Sequence, residues 1–180
     1  MTYREVLIRL SDACQDKVVA IYRLYAEGTL TEDAAVTAIA NIIATYNGRA
    51  YALADVALAA SIMVALEEPV VPVGVLPAVA DVSRLEKAAA TVLKVAEASD
   101  VPEAIVGRLA RSEPLENAAA AYSQGMKASP NVEGYVRDIS GGACELCTWW
   151  WREGRVWPAD YPMPTHKGCT CTPEPVVTRG

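Results

Sequence analysis

Residues 3–27 repeat apolar side chains at helical spacing, with Val6, Leu7, Leu10, Cys14, Val18, Ile21, Leu24 and Tyr25 on one stripe. Gly28 stops that pattern, and Thr31 followed by Glu32 and Asp33 offers an N-cap and an acidic first turn. A second, longer helix is therefore expected to run from about residue 32 towards residue 66. Its stripe includes Val36, Ile39, Ile42, Ile43, Tyr46, Tyr51, Leu53, Val56 and Met63. Asn47-Gly48 is the point where it can kink or split, because glycine costs about 1 kcal/mol relative to alanine inside a helix.

Residues 68–80 interrupt the helical pattern. Pro69, Pro72 and Pro77 remove backbone donors and bias their predecessors to extended conformations. The segment is too apolar for a solvated linker. Its Val70, Val71, Val73 and Leu76 are expected to lie along another surface, of this chain or of a partner.

Periodicity returns over residues 81–99 through Val82, Leu85, Ala89, Val92, Leu93 and Ala96. Asp100-Val101-Pro102-Glu103 has capping-box spacing with proline in the first turn, and Ser112-Glu113-Pro114 predicts the start of one more helix, ending near Ser129-Pro130. The alanine run from Ala118 to Ala121 lets a neighbouring backbone approach closely, which also suits self-association.

Past Pro130 the pattern changes. Tyr135-Val136-Arg137-Asp138-Ile139 alternates like a short strand, and Gly141-Gly142 permits the turn that delivers Cys144. Residues 148–153 can form a helical turn ended by Gly154, and Arg155-Val156-Trp157 reads as a second short strand stopped by Pro158. The chain after Cys169 exits extended. The expected fold is mainly α: a helical N-terminal body with a small α+β, zinc-stapled C-terminal module. Its parts are a long helical hairpin (1–67), an extended apolar linker (68–80), a helical region (81–130) and the Cys/His module (131–180).

Aromatic usage sharpens that division, since the chain has no phenylalanine and all four tryptophans fall between Trp149 and Trp157. Sixteen basic side chains against twenty-two acidic ones leave a net charge of -6, so no basic face of the size that phosphate-backbone binding demands is expected. A local patch of Arg152, Arg155 and Lys167 keeps nucleic-acid contact open. The sequence passes from Tyr3-Arg4-Glu5 straight into an amphipathic pattern, and the apolar run from Val56 to Leu66 is too short to span a bilayer. Neither a secretion signal nor a membrane anchor is expected.

Four of the five cysteines and the only histidine lie in the last forty residues, as Cys144-x2-Cys147 and His166-x2-Cys169-x-Cys171. Two tight pairs at this separation have the spacing of a structural zinc site. They nominate Cys144, Cys147, His166 and Cys169, with Cys171 able to replace Cys169 because alternate residues of an extended strand face one side. Two disulfides and buried unligated thiols are the competing readings. A closed four-ligand site leaves no position for substrate, so no catalytic residue is nominated. Cys14 reads as a core thiol, and Arg137 as paired with Glu145 or Asp160, or solvated. Trp149, Trp150 and Trp151 cannot all face one core, because three successive helical positions span about 200°. At least one of them is expected to meet another element or another chain.

The ordered run of Arg137, Cys144-x2-Cys147, the glycine-led strand at Gly154, and His166-x2-Cys169-x-Cys171 followed by Pro173 resembles the signature of the phage Mu F-like minor head proteins of tailed phages, of the actinobacteriophage type. The resemblance covers about the last forty-five residues. It implies a minor capsid protein of the virion, at the portal vertex or inner capsid, made in the host cytoplasm. The implied partners are portal protein and major capsid protein, and the implied role is head morphogenesis, with a part in DNA packaging or delivery. The alternatives are a zinc-module nucleic-acid-binding protein and, behind it, a Cys/His or metal-dependent enzyme.

Overall fold

A computed structural model gives the fold and describes residues 1–75, 81–139 and 141–178. Four helices form the body: α1 (Tyr3–Ala26), α2 (Glu32–Leu66), α3 (Val82–Glu97) and α4 (Pro102–Ala128). A small module follows, made of β1 (Val132–Asp138), α5 (Glu145–Trp151), β2 (Val156–Pro158) and β3 (Thr172–Val177). The three strands form an antiparallel sheet in the order β2-β1-β3. The chain is thus mainly helical with a small C-terminal strand module.

The first helix begins with a complete capping box, in which Thr2 accepts from Glu5 N–H and the Glu5 carboxylate accepts from Thr2 N–H. Thr31 caps α2 through a hydrogen bond from Ala34 N–H, as its position ahead of two acidic residues predicts. Asn47-Gly48 does not break α2. Asn47 is buried and donates to the Glu113 carboxylate of α4 at 3.3 Å, so tertiary contacts outweigh the local cost of glycine.

Two expectations about α4 are corrected. Residues 102–128 are one helix, with Pro114 inside it, and not two. Ser112, Glu113 and Pro114 are buried between neighbouring helices, and that burial outweighs the roughly 3 kcal/mol a mid-helix proline costs. The second correction concerns the capping box at Asp100. The N-cap is Val101, whose side chain makes no capping hydrogen bond, while the Glu103 carboxylate is taken by Arg23 of α1 at 2.7 and 2.8 Å.

Helices α1, α2 and α4 pack on one another, with α3 against α2 and α4. The buried side chains that hold the helical body separate into two clusters. One joins the first half of α2 to α1, α3 and the start of α4, around Val18, Ile39, Ile43, Leu85 and Leu93. The other joins the second half of α2 to the end of α4 and to the C-terminal module, through Leu58, Ile62, Tyr122, Tyr135 and Met163. The module therefore shares its core with the helical body. Arg4 fastens the same junction by reaching both the carbonyl (2.7 Å) and the carboxylate of Asp138.

Two glycines are set by close approach. A Cβ on Gly125 of α4 would lie 2.6 Å from the Leu58 side chain, and one on Gly134 of β1 would lie 2.3 Å from the Trp157 carbonyl oxygen. Because the second obstacle is backbone, Gly134→Ala is expected to pry β2 from β1 and cost about 2 kcal/mol, read by thermal unfolding.

The segment after α2 runs along its own helical body. Asp55, a buried charge on an apolar stretch of α2, accepts from the N–H groups of Val73 (3.0 Å), Gly74 (2.8 Å) and Val75 (3.3 Å). Val70 and Val75 pack against the second cluster, whereas Val71 and Val73 are exposed. Leu76, the fourth apolar contact expected here, lies outside the described residues.

A buried polar junction ties α2, α3 and α4 together. Glu113 accepts two hydrogen bonds from Arg84 (2.7 and 2.9 Å) and one from Asn47. Burial alone would raise the Glu113 pKa, but the Arg84 contacts outweigh it and hold the carboxyl below its usual range. A depressed folded-state pKa contributes stability that is present above the unfolded value near 4.3 and is lost as pH falls through the folded one. Glu113→Gln is accordingly expected to cost about 2 kcal/mol at neutral pH and to shrink the loss of stability below about pH 4, measured as denaturant midpoints across pH.

Candidate metal centre

Cys144 is the N-cap of α5, placed there by the turn at Gly141-Gly142, and Cys147 follows one turn later with its side chain buried. His166 and Cys169 sit on the loop between β2 and β3, where His166 C=O accepts from Cys169 N–H at 2.9 Å. Gly168 at φ +78° supplies the left-handed residue in that turn. Cys171 immediately precedes β3.

These elements gather five ligand atoms at one place. The atoms of Cys144, Cys147 and His166 all lie within 4.8 Å of one another, as do those of Cys147, Cys169 and Cys171. Cys147 belongs to both groups. Cys147 Sγ is 3.6 Å from Cys169 Sγ, and His166 Nε2 is 3.2 Å from Cys144 Sγ and 3.1 Å from Cys147 Sγ. Bonds of about 2.3 Å to sulfur and 2.0–2.1 Å to nitrogen set tetrahedral ligands about 3.6–3.8 Å apart, so each group of three can hold a metal ion, whereas Cys144, Cys147, His166 and Cys169 do not all lie within 4.8 Å of one another.

The histidine is oriented for this role. Its Nδ1 lies 3.1 Å from the Lys167 carbonyl oxygen, which can only accept, so Nδ1 carries the proton and Nε2 offers its lone pair to the cluster. Trp150 stacks on the imidazole with ring centroids 6.4 Å apart. Burial pushes the Cys147 thiol up, and the Cys171 hydrogen bond together with burial does the same for Cys169. A hydrogen bond from the Cys147 backbone lowers the exposed Cys144 thiol.

Arg137 departs from its sequence reading. It is neither solvated nor paired with Glu145 or Asp160, but is 1% exposed and points into the cluster. Strand alternation puts it on the same inward face as Tyr135. Its Nη2 lies 3.4 Å from Cys147 Sγ and 3.3 Å from Cys169 Sγ, its Nη1 donates to the Pro164 carbonyl at 2.7 Å, and its guanidinium lies 5.2 Å from the Trp150 ring centroid. A basic residue in step with a buried strand position, seven residues ahead of a C-x2-C pair, was the available signal.

The three consecutive tryptophans separate as helical geometry requires. Trp150 turns inward over His166 and Arg137, Trp151 is half-buried, and Trp149 is 59% exposed under the Arg152 guanidinium. The basic side chains singled out in the sequence have partners in the chain. Arg155 lies over Trp157 and Lys167 pairs with Glu116 of α4 at 2.8 Å. Cys14 is a buried core thiol on α1, as expected.

Around the ligands the core is minimal: among the described residues the buried members of this third cluster are Cys147, Cys169 and Cys171, with Ile139 and Ala143 packed beside them. Neither ligand group includes a carboxylate that could act as a general base beside the ion. No protein-family model, curated protein or solved structure matches the chain.

Proposed function

We propose that this chain is a structural minor capsid protein of a tailed phage, acting in head morphogenesis at the portal vertex or inner capsid. Its helical body docks on portal or major capsid subunits, and one Zn2+ held by Cys144, Cys147, His166 and Cys169 staples the C-terminal module, with Cys171 as the replacement ligand for Cys169. The observation that carries the reading is the convergence of the signature residues on one site. Cys144, Cys147, His166, Cys169 and Cys171 come from a short helix and a loop and form two ligand groups sharing Cys147, with Arg137 of β1 against Cys147 and Cys169.

Charge supports the same assignment. A buried guanidinium needs an anion, and Arg137 has only sulfur and carbonyl acceptors around it. Three thiolates, a neutral imidazole and Zn2+ sum to one negative charge, which one guanidinium neutralises. Zinc also fits a tetrahedral set of soft sulfur ligands and one imidazole. With four ligands filling its tetrahedron and no carboxylate in either ligand group, the ion serves in this reading as a cross-link.

The experiment for the role is mass spectrometry of purified virions together with capture on portal protein. Finding the chain in the particle and on the portal supports the reading, and its absence from both overturns it. Nucleic-acid binding is the second reading, favoured by the exposed Trp149–Arg152 pair. Filter binding that is strong at low salt and falls steeply as salt rises would support that reading over the first.

A further inference from the structure

The exposed stripe of α2 changes character halfway along the helix. Its solvent-facing residues are Asn41, Thr45 and Arg49 in the first half, then Ala52, Val56, Ala60, Met63 and Val64. Val56 is 57% exposed, Met63 42% and Val64 77%, whereas Leu58 and Ile62 on the opposite face are buried. From Ala52 to Ala65 the only charged residue is Asp55, which is buried and bound to the backbone of residues 73–75. This leaves an uncharged apolar strip about 20 Å long. Beside it, Tyr3, Glu174 and Pro175 wall a groove of about 530 Å³ over Val56, Ala60 and Val64. An uncovered strip of this kind marks an interaction surface.

We propose that a second copy of this chain covers the strip, with α2 packed antiparallel on α2 about a two-fold axis. The charges at its two ends select this occupant. The midpoint of the stretch from Ala52 to Ala65 falls between Leu58 and Ala59. Arg49, exposed on α2 three residues before the stretch, and Glu68, exposed just past the left-handed end of the helix at Glu67, flank it, so antiparallel pairing about that midpoint brings Arg49 of each copy towards the partner's Glu68. The same register places Leu53 against the partner's Val64, and Val56 against the partner's Ser61, large residues against small or medium ones. A parallel arrangement would instead align Arg49 with the partner's Arg49 and lose both ion pairs. Isologous contacts of this kind close after two copies. One helix stripe sits at the small end of specific interfaces, so association is expected in the micromolar range.

Sedimentation equilibrium on the full chain, from about 1 to about 500 µM, tests this. The expected result is a monomer–dimer equilibrium that Val56→Lys abolishes. Arg49→Glu and Glu68→Arg should each weaken it about tenfold, and the double swap should restore it. All three positions changed are exposed, and unchanged circular dichroism verifies folding. A wild-type chain that stays monomeric throughout overturns the proposal and leaves the strip to a different protein. A dimer indifferent to Val56→Lys, or a double swap no tighter than either single change, overturns it equally.

Discussion

Replacing Cys147 by serine is expected to abolish stoichiometric metal binding and unfold the outer part of the C-terminal module while the four-helix body stays folded. Cys147 is the one sulfur common to both ligand groups, so its loss leaves neither intact. The remaining core at that end is too small to persist. Apart from the sulfurs it consists of Ile139 and Ala143, and structural zinc sites contribute about 10–16 kcal/mol of binding free energy that is also folding free energy. The loss should be graded along the module. Tyr135 and Met163 belong to the core built by α2 and α4, so amide protection is expected to survive at the base of β1. It should vanish around α5 and the loop carrying His166 and Cys169. Near-ultraviolet circular dichroism should lose the tryptophan signal, because Trp150 stacks on the ligand His166. Strong chelation of the wild-type chain should reproduce all of this. Hydrogen exchange mapped by residue is the measurement, and unchanged protection around α5 would contradict the metal staple.

Arg137→Met should be the most damaging change outside the ligands. The guanidinium is buried, touches two ligand sulfurs, holds the Pro164 carbonyl and lies against Trp150. Methionine can fill part of the volume, but it leaves the Pro164 carbonyl unsatisfied and a buried metal–thiolate group with uncompensated negative charge. Breaking buried charge contacts of this kind costs about 3–5 kcal/mol. Metal affinity should fall by about 10- to 100-fold, as for other groups that hydrogen-bond to ligands. Arg137→Lys keeps the charge but not the fork, since one ammonium cannot reach the two sulfurs and Pro164 with fixed geometry. It should fall between wild type and methionine in competition titrations with a metal indicator. Equal affinity for all three proteins would remove Arg137 from the site.

Much of the fold could be read from periodicity. Thr31 ahead of Glu32-Asp33, and the stripes through Val18, Ile39 and Leu93, gave α1, α2 and α3 nearly to the residue. The division of α4 into two helices failed for a physical reason. Pro114 is a local signal, whereas the burial of Ser112 and Glu113 among three other helices is a tertiary one and outweighs it. Asp100 failed as a capping residue because Glu103, its intended partner, finds Arg23 eighty residues away.

The site was legible to the same degree. Tight C-x2-C and H-x2-C spacing is a local property, and the residues it nominated fall, with Cys171, into two groups of three that share Cys147. The role of Arg137 depends on how β1 faces α5 and the loop before β3, and no local pattern carries that. The anchoring of the proline-rich segment was hidden likewise, since Asp55 meets residues 73–75 only after the chain folds back. Its lone charge in an apolar run was the trace it left in the sequence.

The most direct measurement is elemental analysis of the purified full chain, paired with a count of titratable thiols before and after chelation. A structural zinc site predicts about one zinc per chain, with several thiols shielded until the metal is removed. A chain free of metal whose four C-terminal cysteines are oxidised in pairs would contradict it.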